Sequence, residues 1–122
     1  MTAARSTVRR LLLIGLAATS AGCATSADFL TRERVEPLAA ELGGIVVGHC
    51  DVSDQSTIDA VFETLKEKWG KIDFLVHAIG YSNKDELTGR YVETSRDNFL
   101  MTMDISVYSF TAVAKAAEPL MT

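Results

Sequence analysis

The chain has little of what usually points to a chemistry. Its 122 residues include two cysteines, two prolines and one tryptophan, and 12 lysines and arginines stand against 16 aspartates and glutamates. Two cysteines, Cys23 and Cys50, build no disulfide framework. Cys50 lies at the end of an apolar run and reads as a small buried hydrophobe rather than a reactive thiol. A net charge of −4 supplies no basic patch or stripe, so nucleic acid is not an expected partner. Gly-x-Gly-x-x-Gly and the Walker phosphate loop are both missing. Neither His49 nor His77 has a second ligand at metal spacing, so both read as structural and no metal is expected. The longest apolar run, near Leu11, falls short of the ~20 residues that span a membrane. Repeats, low-complexity tracts and long charge runs are also absent.

What remains is the composition of one ordinary domain, 48% apolar and 23% charged. Residues 1–28 differ from the rest. Arg5, Arg9 and Arg10 precede Leu11-Leu12-Leu13-Ile14-Gly15-Leu16-Ala17-Ala18, and small residues lead to Ser20-Ala21-Gly22-Cys23. That is the layout of a secretory signal, and Ala-Gly-Cys has the form of a bacterial lipoprotein signal, although Ser20 replaces the usual larger aliphatic residue. Two other readings stay open: a first sheet strand from Leu11 to Ile14 turning at Gly15, and a non-native leader. The expected organisation is a leader over 1–28 and a partial dinucleotide-binding domain over 29–122.

In that second part, Arg32–Leu42 reads as a short helix with Val35, Leu38, Ala39 and Leu42 on one face, Pro37 in its first turn and Gly43-Gly44 as its stop. Ile45–His49 reads as a β-branched strand. Ser53 is the expected cap of a helix running to Trp69, with Ile58, Val61, Phe62, Leu65 and Trp69 inward and Glu63, Lys66, Glu67 and Lys68 solvated. Gly70 closes it. Phe74–Ile79 is nearly continuously apolar, as in a parallel strand covered on both faces. Together these predict a right-handed β-α-β unit. A polar loop follows, and Ser95 caps a long last helix with Phe99, Met103, Ser106, Phe110, Val113, Ala117 and Leu120 along one stripe.

In an open α/β sheet a dinucleotide lies at the carboxyl ends of the strands. Asp51 sits at one such end, where a carboxylate accepts from an adenine amine or a ribose hydroxyl, or belongs to the turn before the next helix. Gly80 sits at another, where a missing side chain lets the backbone approach a ligand, or simply ends the strand. Tyr108 and Lys115 stand seven apart on the last helix and read as a packing tyrosine and an exposed lysine.

From about Arg34 onward the sequence resembles the NADH-dependent enoyl-acyl-carrier-protein reductases, a divergent branch of the short-chain dehydrogenases/reductases. The resemblance is carried by Arg34-Val35-Glu36-Pro37-Leu38-Ala39, Cys50-Asp51-Val52, Trp69-Gly70-Lys71-Ile72-Asp73-Phe74 and His77-Ala78-Ile79-Gly80-Tyr81-Ser82. Asp85-Glu86-Leu87-Thr88-Gly89-Arg90-Tyr91 and Ile105-Ser106-Val107-Tyr108-Ser109-Phe110 continue it. It implies an α/β fold, a partial, truncated Rossmann-like doubly wound parallel sheet. It implies NAD as cofactor, with Asp51 and Val52 at the adenine, Ile79 and Gly80 along the ribose and nicotinamide, and Ser82 where the enoyl substrate enters. It further implies an acyl-carrier-protein thioester as substrate, a homotetramer pairing through the long last helix, and a cytoplasmic location. The family's Gly-rich first turn is replaced by the leader, and its catalytic tyrosines and lysine fall beyond Thr122. The chain is therefore expected to be inactive alone, and poorly soluble because cut sheet edges template aggregation. The alternative expectation is an exported or lipid-anchored α/β binding module without enzymatic activity, held through residues 1–23.

Overall fold

The computed structural model describes residues 11–15, as backbone, and 35–122. Its elements are β1 (Leu11–Gly15), α1 (35–41), α2 (Gln55–Trp69), β2 (Phe74–Ala78), α3 (Arg96–Met103) and α4 (Ser109–Ala117). A π-helical turn over Asp104–Tyr108 joins α3 to α4.

The apolar spacing of α2 determines the core. Ile58, Val61, Phe62 and Leu65 are buried along one face, and Trp69 packs at its edge. Opposite them stand Ile72 and the α4 residues Ala112, Val113 and Ala117, with Leu120 just beyond. Gly70, at φ +71°, lets the chain turn back, and its N–H reaches the carbonyls of Leu65 and Lys66. Glu63 and Lys66 pair at 3.5 Å on the exposed face.

The cap of α2 falls one residue later than the sequence suggests. Asp54, in extended backbone, accepts from the Ser56 N–H at 2.9 Å. Ser53 is unavailable because its N–H and hydroxyl both donate to Asp51 Oδ1, at 3.0 and 2.6 Å. The Ser56 hydroxyl and N–H hold the Asp54 carboxyl below its ordinary range. Its contribution to α2 is therefore present above the unfolded pKa and is lost as pH falls through the folded one.

β1 and β2 pair in parallel, Leu11 opposite Phe74 through Gly15 opposite Ala78. This is the strand reading of Leu11–Ile14; the rest of the 1–28 leader lies outside the described residues. At the other end of the chain, the Ile72 N–H donates to Leu120 and the Thr122 N–H to Ile72, at 2.8 and 3.2 Å. Chain end and strand start are thereby tied together.

Four expectations need correction. Residues 45–49 form no strand ladder among the described residues, because β-branching favours extended backbone but only a neighbour makes a strand. Val47, Cys50 and Val52 nevertheless pack against the core. β2 is less deeply buried than expected: Leu75, Val76 and His77 are half-buried, while Phe74 is exposed. α1 forms and stops at Gly43-Gly44, but Val35, Leu38 and Leu42 stay exposed, Leu42 to 87%. Amphipathic spacing marks the face to be buried without supplying what buries it. Finally, the last helix is interrupted by its π turn. A π turn takes more residues than an α turn, so the inward stripe N-terminal to it moves by about one residue. Asn98 and Thr102 face inward where Phe99 and Met103 were expected, and Ser109 is buried while Phe110 is exposed.

Candidate functional site

Two loops carry the residues singled out from the sequence. The first contains Asp51 and Val52 and leads into α2. Thr57, in the first turn of α2, holds the main chain of Asp51 at two points. Its Oγ1 accepts from the Asp51 N–H at 2.9 Å and donates toward the Asp51 carbonyl at 2.7 Å. Ser53 occupies Oδ1 of the Asp51 carboxylate, leaving Oδ2 outside the turn's hydrogen bonds. The turn role of Asp51 is thus real and uses only half of its carboxylate. Burial, and then the charge of Asp51, push the neighbouring Cys50 thiol up, partly offset by a hydrogen bond with Thr57. At neutral pH Cys50 stays a protonated thiol and a poor nucleophile, as expected of a packed cysteine.

The second loop, Ile79-Gly80-Tyr81-Ser82, leaves β2 and lies against α3 and α4. There a polar stripe at helical spacing runs along the inward face: Asn98, Thr102, Ser106 and Ser109. The Ser109 hydroxyl, fully buried, donates to the Ile105 carbonyl at 2.6 Å, so toward His77 Nε2, at 2.8 Å, it accepts. His77 therefore carries its proton on Nε2 when neutral. His77 also meets the Phe110 ring edge-on at 5.6 Å. His77 is thus held by Ser109 at Nε2 and by the Phe110 ring.

Ser106, inside the π turn, repeats the Thr57 arrangement. Its Oγ accepts from the Tyr81 N–H at 3.0 Å and donates to the Tyr81 carbonyl at 3.1 Å. Asn98, 6% exposed, accepts from the Asn83 N–H at 2.9 Å and donates to Ser82 Oγ at 3.3 Å, while Thr102 Oγ1 lies 3.0 Å from Ser82 Oγ. Ser95 caps α3 by accepting from the Asn98 N–H at 3.1 Å. Glu86 takes both the N–H and the hydroxyl of Ser95 at 2.8 Å, and these two bonds hold its carboxyl below its usual range. The loop is thus fixed from Tyr81 to Glu86.

Ser106→Ala removes both bonds to Tyr81. Two such bonds stabilise by about 1–3 kcal/mol together. The expected result is faster amide exchange at Tyr81 than in the parent chain, by a larger factor than in the middle of α2.

Val52 and Ile79 pack against the same core, so both loops ride on one support. Among the described residues no hydrogen bond joins the two networks; Asp51 and Ser82 belong to separate ones. Among the described residues, the nearest atom to a methyl placed on Gly80 is Ser106 Oγ, at 3.9 Å. Tyr108 is 61% exposed, a correction to its reading as a packing residue, and Lys115 is exposed as expected. Thr57, Asn98, Thr102, Ser106 and Ser109 carry contacts that the sequence reading did not assign, although it placed Ser106 on the inward stripe of the last helix. The signal was present in the last four, as hydroxyl and amide side chains at helical intervals in an otherwise apolar helix.

The two loops thus present a carboxylate oxygen at Asp51, backbone without a side chain at Gly80, and at Ser82 a hydroxyl held by Asn98 and Thr102. Among known proteins, the family model described as Enoyl-(Acyl carrier protein) reductase matches residues 16–122. The chain is 71% identical over 90 residues to enoyl-acyl-carrier-protein reductase (NADH) 1 of Rhizobium meliloti, covering 74% of this chain and 33% of that protein. It is 55% identical over 89 residues to the second such reductase of the same organism, covering 73% and 33%. The crystal structure of the enoyl-acyl-carrier-protein reductase of Anaplasma phagocytophilum in complex with NAD superposes with a TM-score of 0.71 at 54% identity, over 76% of this chain and 36% of that one. The Aquifex aeolicus NADH enzyme gives 0.71 at 41% identity, over 74% and 40%. The chain therefore spans about a third of the length of the curated relatives it matches. Its fold is that of part of a Rossmann-like α/β enzyme, and the chain belongs to the enoyl-acyl-carrier-protein reductase family of short-chain dehydrogenases/reductases.

Proposed function

We propose that this chain supplies half of the NADH site of an enoyl-acyl-carrier-protein reductase, which reduces the trans-2 double bond of an acyl-carrier-protein thioester in fatty-acid synthesis. One observation carries the reading: the family match over residues 16–122 takes in both fixed loops. Asp51 and Val52 receive the adenine, Ile79 and Gly80 line the ribose and nicotinamide, and Ser82 borders the entry of the enoyl group. The residues suit a dinucleotide. Asp51 keeps one carboxylate oxygen outside the turn's bonds, and Gly80 presents backbone with no side chain in the way.

NADH would supply the hydride. The protein's task is to hold its two ends at fixed separation and to place a donor at the developing enolate oxygen. The two loops serve the first purpose. Tyr108 and Lys115, both exposed, are assigned no part in the second. The chain alone binds cofactor and does not turn over. The apolar outer face of the last helix, with Phe99, Leu100, Met103 and Val107 exposed, is the surface we assign to pairing between copies. Among the described residues no helix is long and apolar enough to cross a membrane.

The test is titration of the purified full chain with NADH, followed by nicotinamide fluorescence, alongside an assay with a crotonoyl thioester of acyl carrier protein. Saturable binding without NADH oxidation is the expected pair of results. No binding up to millimolar NADH would overturn the reading.

A further inference from the structure

The hydrogen bonds around Asp51 separate into two sets. Apart from its hydrogen bond with the Cys50 thiol, Thr57 Oγ1 bonds main chain there, the N–H and carbonyl of Asp51 and, at 2.9 Å, the carbonyl of Asp54. Ser53 touches only the carboxylate, and only Oδ1. Thr57 is itself rigidly placed. Its N–H donates to Asp54 in the first turn of α2, and the next residue, Ile58, is fully buried in the core. The position of Asp51 is therefore referred to the core through Thr57, and the rotation of its carboxylate is set by Ser53. What is left over is Oδ2.

We propose that Thr57, assisted by Ser53, is a positioning residue that makes this half-site selective for the purine base of the dinucleotide. An ionised carboxylate oxygen only accepts hydrogen bonds. Held at one place, Oδ2 favours a base that presents an amino group there, as adenine does, and disfavours one that presents a carbonyl oxygen, as hypoxanthine does. A mobile Asp51 would rotate away from the mismatched carbonyl and discriminate little. Selectivity arises from rigidity because unpaired or opposed polar groups are penalised only when they cannot move apart. The inference rests on the NADH reading above.

The experiment compares NADH with its reduced hypoxanthine analogue on the full chain, by fluorescence titration, in the parent, Thr57→Val, Thr57→Ser and Ser53→Ala. The parent is expected to prefer NADH by roughly tenfold, the scale of one hydrogen bond. Thr57→Val, similar in shape but without the hydroxyl, is expected to bring that ratio close to one, chiefly by strengthening binding of the hypoxanthine analogue. Thr57→Ser is expected to restore it. Ser53→Ala lies outside α2 and its Asp54 cap, and is expected to lower the ratio even if Thr57→Val does not fold. A ratio unchanged in both Thr57→Val and Ser53→Ala overturns the proposal and leaves the NADH reading standing, as does a parent that binds both dinucleotides equally. A parent that binds neither overturns both.

Discussion

Replacing Leu65 with alanine is expected to lower the unfolding free energy by about 2–5 kcal/mol, enough to leave much of the chain unfolded. Leu65 is fully buried in the middle of α2. Its neighbours in the core, Val61 and Phe62 on α2 and Ile72, Val113 and Leu120 opposite, include the points that tie α2, β2 and α4 together. Among the described residues one short core carries the packing, with no second cluster to compensate. The loss would follow from lost transfer free energy together with an unfilled cavity, since the Ile72–Leu120 backbone bond keeps the far wall from collapsing inward. Urea unfolding followed by far-UV circular dichroism measures it. Lys66→Ala, on the exposed face of the same helix turn, is the matched control and should move the midpoint little. Equal midpoints for the two variants would mean that α2 does not carry the core.

Asp51→Ala is the complementary case: a large effect on ligand and a small one on stability. The main chain at this position is held by Thr57, whose bonds do not involve the Asp51 side chain. The helix that follows is capped by Asp54. Only the two Ser53 bonds to Oδ1 are lost, and they lie at an exposed position. The fold should survive. NADH affinity should fall by at least tenfold, because hydrogen bonds to a charged partner stabilise by about 1.5–3 kcal/mol. Asp51→Asn keeps an acceptor for Ser53 and should retain the fold equally well, yet its neutral amide should recover little of the binding. Titration and a thermal melt on the same samples separate the two effects. A melt that collapses together with binding would return Asp51 to a purely structural role.

Most of the architecture was legible where local signals agreed. α2 had apolar spacing and a closing glycine, with a cap misplaced by one residue, from Asp54 to Ser53. β2 had a dense apolar run, and Ser95 stood at the start of the last helix. The failures share a cause. Whether 45–49 is a strand depends on a pairing partner, whether the face of α1 is buried depends on what covers it, and neither is written in the segment itself. The π turn is a tertiary accommodation that lets Ser106 reach Tyr81, and a fixed helical period misassigns the stripe on its N-terminal side. Asp51 and Gly80 were visible as residues at loop positions. Their anchors, Thr57 and Ser106, were not, since a threonine or serine clamping distant main chain looks in sequence like any helical hydroxyl.

The central claim is that Asp51-Val52 and Ile79-Gly80, on separate loops, form one surface for NADH. Mapping amide chemical shifts of the isotopically labelled full chain during an NADH titration tests it most directly. The account predicts saturable shifts at Asp51, Val52, Ile79, Gly80 and Ser82 with one common affinity, while the solvated face of α2 from Glu63 to Lys68 stays still. Shifts confined to one loop, two different affinities, or none at either loop would contradict it.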